Sequence, residues 1–160
     1  MKIYINYKNI FIILLVIIVV IISFNARSLY YRYFTIYGTY YDAYNLKIPK
    51  PQDIIKELYK IGPLGEGETY TILMYNQEDL EEVRRADIWE KITDNNYEQL
   101  KERISKYQDH VISTWDKDPF KEYPFPIEED NLYYLKLKED NSWLLATLKE
   151  DKIYIIEEAW

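Results

Sequence analysis

Residues 132–160, LYYLKLKEDNSWLLATLKEDKIYIIEEAW, decide the fold of this chain. Apolar and polar side chains alternate along them with the period of a β-strand. The alternation falls into three runs: Leu132 to Glu139, Trp143 to Lys149 and Lys152 to Trp160. Short segments rich in Asp, Asn and Glu separate the runs and favour turns. We therefore predict a three-stranded antiparallel meander at this end of the chain.

The residues upstream of the meander predict helices that cover the sheet and one further strand. Glu68 to Asn76 alternates with apolar groups on both faces, which is typical of a central strand. Asn95 to Thr114 carries an apolar stripe at helical spacing. Shorter helices are predicted from Pro51 to Gly62 and, in one or two segments, from Gln77 to Ile92. The predicted class is α+β, with helices on a mainly antiparallel sheet of about four strands.

The apolar segment, Ile10 to Ile22, has no polar atom in any side chain. A helix of this length spans about 20 Å, whereas a bilayer core is about 30 Å thick. Flanking residues from about Tyr7 to Ala26 extend the helix enough to span the bilayer. We predict that residues 1–28 form a single-pass transmembrane signal anchor and its flanks, and that the lipid bilayer is one partner of the protein.

A cleaved secretory signal is the alternative to an anchor. Ala26-Arg27-Ser28 supplies the small residues that signal peptidase requires, so cleavage near Ser28 would release a secreted domain. Orientation depends on Lys2 and Lys8 against Arg27 and Arg32, which is nearly a tie under the positive-inside rule. The short N-terminal tail favours a cytoplasmic N-terminus. We therefore expect the large domain to lie outside the cell membrane.

Residues 29–50 are predicted to form an aromatic juxtamembrane stalk and linker. The aromatic residues recur at three-and-four spacing, which would line one face of a helix. Such a stripe could contact a partner helix or a second copy, but an interfacial belt that also docks on the chain's own domain is the simpler interpretation. Pro49 and Pro51 close a short extended linker. The possible stalk contacts are Tyr30, Tyr33, Tyr37, Tyr41 and Tyr44.

The charge of the chain differs sharply between its two ends. Residues 1–44 carry four basic residues and one acidic residue, and residues 45–160 carry 16 basic and 26 acidic ones. Phosphate backbones repel such an acidic domain, so nucleic-acid binding is excluded as a main function. A protein or peptide partner that is selected by charge should be cationic. Residues 51–160 are expected to form this acidic α+β domain.

Few residues are available for catalysis or metal binding. The chain has no cysteine and one histidine, which rules out disulfides, Cys-ligated zinc and a multi-histidine zinc site within the chain. His110 is expected to be an exposed histidine on a helix, unsupported by its neighbour Asp109. The glycines between Gly62 and Gly67 lack the lysine of a phosphate-binding loop and predict a turn. We predict no catalytic residue, no cofactor and no metal site.

The segment 116–131 combines three prolines with aromatic residues, which predicts an irregular loop lying on a surface. Exposed aromatic clusters mark binding surfaces, although these side chains could instead close the core. The possible partner contacts are Trp115, Phe120, Tyr123 and Phe125. The acidic residues Asp116, Asp118 and Glu128 to Asp130 could meet across the loop to hold Ca²⁺ or flank a sugar.

These observations predict a noncatalytic, membrane-anchored extracytoplasmic module. It would act as a sensor, as an accessory subunit of a complex, or as an immunity-type neutraliser of a cationic partner. A carboxylate-dependent hydrolase of the cell envelope is the alternative, and it requires two acids about 5 to 9.5 Å apart in a cleft. A structural subunit held by its aromatic stalk is a third hypothesis.

Overall fold

The computed structural model describes residues 13–20, 22, 35–63 and 66–160. The chain divides into two compact units, Met1–Leu46 and Lys47–Trp160. In the first unit, residues 13–20 and 22 are helical, and helix α1 runs from Ile36 to Ala43. Thr35 caps α1, because its hydroxyl accepts a hydrogen bond from the Gly38 amide at 3.4 Å.

The predicted anchor, from about Tyr7 to Ala26, lies largely outside the described residues. Among the residues that the structure does describe, no helix combines the length and the apolar character needed to cross a membrane. The apolar side chains at 13–20 and 22 are each between 47% and 60% exposed.

The second unit contains one β-sheet and two helices. Its elements are β1 (Asp53–Ile61), β2 (Gly67–Met74), α2 (Gln77–Arg85), β3 (Glu90–Lys91), α3 (Asp94–Trp115), β4 (Leu132–Leu137), β5 (Trp143–Lys149) and β6 (Lys152–Ala159). The strands form one six-stranded sheet in the order β1-β2-β6-β5-β4-β3, and every neighbouring pair is antiparallel. The predicted α+β class is confirmed, with six strands where about four were expected.

The predicted helix at residues 51–62 is wrong, because this segment is strand β1. It pairs with β2 as a hairpin, from Asp53 opposite Met74 to Ile61 opposite Gly67. A bulge between Lys56 and Leu58 shifts the strand's alternation by one residue. As a result, Ile55 and Leu58, which lie three residues apart, both face the core, and this spacing imitates a helix in the sequence.

The predicted helical segment from Gln77 to Ile92 is also too long. Helix α2 ends at Arg85, and its last turn is followed by Ala86 in an extended conformation. The Trp89 indole donates a hydrogen bond to the Val83 carbonyl at 2.7 Å, which folds the chain back onto the helix end. Residues 90–91 then pair with β4 as a short edge strand. The apolar residues Ile88, Trp89 and Ile92 therefore belong to the segment in which the chain turns back toward the sheet, and they are not part of a helix.

The predicted meander, the central strand and the long helix are confirmed. The meander forms with β5 between β4 and β6, and β2 is central because it pairs with both β1 and β6. Helix α3 covers one face of the sheet through its predicted stripe of Leu100, Ile104, Tyr107 and Val111. Both faces of the central strands bury apolar side chains, as expected for β2.

Tyr133 links the short strand β3 to the core. Its ionisation should lower the free energy of unfolding at alkaline pH. Its hydroxyl donates to Glu90 Oε2 at 2.7 Å. Burial first, and then this hydrogen bond and the charge of Glu90, raise the pKa of Tyr133 from 10.0 to about 12. Tyr133 therefore ionises at a lower pH in the unfolded chain than in the folded protein. Its contribution to the free energy of unfolding is fully present below pH 10 and should be lost as the pH rises from 10 to about 12.

The test is urea unfolding of the wild type and of Tyr133→Phe between pH 8 and pH 12. The variant cannot ionise at this position, so its free energy of unfolding should fall less steeply above pH 10 than that of the wild type. Equal slopes for the two proteins would contradict the assignment.

Candidate functional site

Two glutamates occupy the polar end of the sheet face that α3 covers. Glu68 on β2 and Glu158 on β6 are directly opposite each other in the strand pairing. Glu68 is in phase with Tyr70 and Ile72, and Glu158 with Ile156, all of which belong to the buried core. The alternation of the strands therefore holds both carboxyl groups on the core face, where the apolar layer ends.

Helix α3 brings two polar ring nitrogens to Glu68. His110 Nε2 lies 2.9 Å from Glu68 Oε1, and the indole nitrogen of Trp115 donates to Oε2, also at 2.9 Å. Glu68 is only 7% exposed, so both oxygens of a buried carboxylate have a partner. This arrangement fixes the rings of His110 and Trp115 at the C-terminal end of the helix.

Glu158 makes the equivalent contact with a second tryptophan. The Trp143 indole nitrogen donates to Glu158 Oε2 at 3.0 Å. Each tryptophan also carries a cation over its ring: Lys60 Nζ lies 5.2 Å from the Trp115 centroid, and Arg103 Cζ lies 5.0 Å from the Trp143 centroid. The same unit of glutamate, indole and cation thus occurs twice, side by side.

Two cavities flank these units. The Trp115 cavity, of about 400 Å³, is lined by Lys60, Ile61, Gly62, Glu66, Gly67, Glu68, Trp115, Glu158, Ala159 and Trp160. The Arg103 cavity, of about 470 Å³, is lined by Gln99, Glu102, Arg103, Lys106, Tyr107, His110, Trp143 and Glu158. Both volumes fall within the usual range of ligand pockets, about 300–1,000 Å³. Glu158 belongs to both cavities.

The Trp115 cavity has the chemistry of a site for a cation. Two tryptophans, Trp115 and Trp160, and three glutamates, Glu66, Glu68 and Glu158, line the same space. Ring faces attract cations through their quadrupole, and carboxylates add charge and hydrogen-bond acceptors. Within the described ranges, no three His, Cys, Asp or Glu residues are placed to hold a metal ion.

The predicted partner contacts are divided between this cavity and the core. Trp115 is 40% exposed and forms a wall of the cavity. Phe120 and Phe125 are buried, with Phe120 4.9 Å from Tyr70 between ring centroids. Tyr123 is partly buried, and its carbonyl accepts a 2.6 Å hydrogen bond from the Tyr70 hydroxyl. The loop aromatics therefore close the core, and Trp115, at the end of α3, is the most accessible of the four predicted contacts.

The predicted stalk tyrosines are described only in part. Tyr30 and Tyr33 lie outside the described residues. Tyr37 and Tyr44 are buried, and the half-buried Tyr41 lies 6.1 Å from Tyr37 between ring centroids.

Three acidic residues of the loop contact different groups. Asp118 Oδ1 accepts hydrogen bonds from the Gln108 side chain and from the Phe120 amide. Glu128 pairs with Lys149, and Asp130 with Lys91 at 3.8 Å. Asp118 therefore contacts α3, Glu128 contacts β5 and Asp130 contacts β3, and none of these contacts joins one acidic cluster to the other.

Most of the site was not predicted from the sequence. His110 was expected to be an exposed histidine without support from Asp109, whereas Glu68, 42 residues earlier, contacts it. One signal was available. Glu68 and Glu158 occupy strand positions whose alternation points toward the core, and a buried carboxylate needs hydrogen-bond partners. Nothing in the sequence indicated which partners those are.

Comparison with known proteins adds no assignment to this geometry. The chain matches no protein-family model, and no curated protein and no solved structure is similar to it at a significant level.

Proposed function

We propose that this chain is a membrane-anchored binding protein without catalytic activity, whose acidic extracytoplasmic domain holds a cationic segment of a protein or peptide partner. The observation that carries the proposal is the Trp115 cavity, where two indole rings and three carboxyl groups line one space. Sensor, accessory subunit and neutraliser of a cationic partner are roles that such a domain would fill.

The charge of the domain supports a cationic partner. Residues 45–160 carry ten more acidic than basic residues, and a field of one sign attracts oppositely charged partners and speeds their association. The cavity concentrates this charge at one place, because Glu66, Glu68 and Glu158 lie along its wall. A cationic segment would gain both the long-range attraction and the local contacts.

The apolar segment supports the anchor. Thirteen consecutive residues from Ile10 to Ile22 are apolar, and those at 13–20 and 22 expose about half of their surface in every direction around the helix. Exposed apolar surface costs about 25 cal/mol per Å² in water. A lipid bilayer removes this cost, which supports a membrane location for the segment.

A charged pair in the apolar segment should release the protein from the membrane. Val16→Asp together with Ile18→Asp places two carboxylates near the centre of the span, each costing about 2.5–3.5 kcal/mol there. We expect the variant to leave the membrane pellet after carbonate extraction while the wild type stays. Gln52→Asp with Asn95→Asp, at exposed positions of the domain, is the matched control and should behave like the wild type.

The same tagged, full-length protein tests the rest of the proposal. Protease added outside intact cells should degrade the domain, and the intact mass should include residues 1–28. Crosslinking in membranes should capture a protein whose contact segment is rich in lysine or arginine. A mass beginning near residue 29 would favour the secreted alternative, and a domain protected from external protease would contradict the orientation.

The hydrolase alternative predicts that the loop acids act together. Their observed contacts, Asp118 with Gln108 and Glu128 with Lys149, do not support it. Turnover of a glycan that is abolished in Asp118→Asn and in Glu128→Gln would nevertheless establish this alternative and overturn the noncatalytic proposal.

A further inference from the structure

We propose that the Trp115 cavity binds the side chain of an arginine from the partner, and that Lys60 is the internal cation which this arginine displaces. The inference rests on the proposed function, because it specifies which cationic group the binding domain recognises.

Trp115 is held in place before any ligand arrives. Its indole nitrogen donates to Glu68, whose other oxygen contacts His110 one and a half turns earlier on the same helix. Glu68 is itself buried, so the carboxylate, the imidazole and the indole brace one another. A ring that is already fixed loses little conformational entropy when a ligand stacks on it.

The protein already contains the proposed contact at the adjacent unit. Arg103 lies over the ring of Trp143, whose indole nitrogen is bonded to Glu158. The Trp115 cavity repeats this arrangement with Glu68 in the role of Glu158. A guanidinium is flat, stacks on aromatic rings and forms two parallel hydrogen bonds with a carboxylate. Glu158 also lines the Trp115 cavity, so an arginine there would meet a ring face and carboxylate oxygens together.

Lys60 occupies the place where the arginine would stack. Its ammonium lies 5.2 Å from the Trp115 centroid, and the residue is exposed at the rim of the cavity. An exposed lysine moves away at low cost, because contacts of this kind are weak in water. It nevertheless competes with, and repels, an incoming cation. Its removal should therefore strengthen binding, although the domain loses only one positive charge.

The chain offers a matched control for this charge effect. Lys56 lies on the same strand, and its ammonium is 4.6 Å from the centroid of Tyr59, but it does not line the Trp115 cavity. Lys56→Met and Lys60→Met make the same change in net charge, and each removes a lysine from an aromatic ring. Only Lys60→Met removes the ammonium group from the ring of Trp115.

The test uses the full-length protein in detergent micelles and the peptide acetyl-Gly-Arg-Gly-amide. The same peptide with citrulline in place of arginine keeps the shape and loses the charge. We expect the arginine peptide to shift the tryptophan fluorescence and to bind at least about tenfold more tightly than the citrulline peptide. Lys60→Met should bind the arginine peptide about three to ten times more tightly than the wild type, and Lys56→Met less than about twofold more tightly.

A further variant changes the cavity without disturbing Trp115, whose indole is hydrogen-bonded to the buried Glu68. Trp160 is 67% exposed, so Trp160→Ala should leave stability unchanged and weaken binding of the arginine peptide by about threefold or more. Equal binding of the arginine and citrulline peptides, or equal effects of Lys60→Met and Lys56→Met, would overturn the inference. In that case, membrane retention and capture of a cationic partner would still support the proposed function. If the protein neither stays in the membrane nor captures a cationic partner, the proposed function is contradicted, whatever the peptide binding shows.

Discussion

Tyr70→Ala is expected to lower the free energy of unfolding by about 3–5 kcal/mol, the usual cost of removing a large buried aromatic side chain. Tyr70 is completely buried on central strand β2. Its ring contacts Phe120 and Phe125 at 4.9 and 6.0 Å between centroids, and its hydroxyl bonds to the Tyr123 carbonyl. The substitution therefore opens a cavity and also releases the loop that closes the core.

Urea unfolding measures this loss, and Tyr59→Ala is the matched control. Tyr59 lies on the adjacent strand β1 and is 50% exposed, so its removal should cost less than about 1 kcal/mol. Tyr70→Phe separates the two contributions, because it keeps the ring and removes the hydroxyl that bonds to Tyr123. If Tyr70→Ala and Tyr59→Ala cost the same, Tyr70 does not hold the loop against the sheet.

Gly67→Ala should destabilise the domain by about 2–4 kcal/mol, because it combines a strained backbone with a steric overlap. Gly67 begins β2 with a φ angle of +140°, which side chains other than glycine rarely tolerate. A Cβ atom there would lie 1.8 Å from the Lys60 carbonyl oxygen. Since that oxygen belongs to the paired strand β1, the hairpin would have to separate at this point.

Gly62→Ala is the control for the same hairpin. A Cβ at Gly62 would meet the carboxyl group of Glu66 at 2.3 Å, but a flexible side chain can turn away. We expect a loss below about 1 kcal/mol for this variant. Thermal unfolding of both proteins distinguishes the two cases, and equal losses would mean that the φ angle of Gly67 does not limit the hairpin.

The Gly67 variant also probes the candidate site, because Gly67 lines the Trp115 cavity with Lys60 on the facing strand. A backbone shift at this pair would move Lys60 relative to the ring of Trp115. Its effects on stability and on binding of the arginine peptide should therefore appear together, whereas Lys60→Met should change binding and leave stability nearly unchanged.

The sequence predicted those elements whose periodicity is undisturbed. The meander and α3 keep one period over their whole length, and the structure forms both within a few residues of the predicted ends. Strand β1 was missed because the bulge after Lys56 gives its core residues a helix-like spacing. Strand β3 was missed because two residues are too few to show any period.

The candidate site was largely beyond prediction. Trp115 was identified as a possible contact because it is aromatic and adjoins the proline-rich loop. Its partners Glu68 and Lys60 lie about fifty residues earlier and reach it only through the pairing of β1 with β2 and the packing of α3 on the sheet. A rule based on neighbouring residues cannot find such contacts.

By itself, the sequence determined the α+β class, the position of the meander and of α3, the acidic character of residues 45–160, and the apolar segment from Ile10 to Ile22. These follow from local periodicity and composition, which a single chain displays without folding. Only the tertiary structure decided that His110 and Trp115 share the carboxylate of Glu68, and that Trp143 holds Glu158 beside it. The physical reason is that a buried carboxylate must find hydrogen-bond donors wherever the fold supplies them, and distance along the chain sets no limit on where they come from.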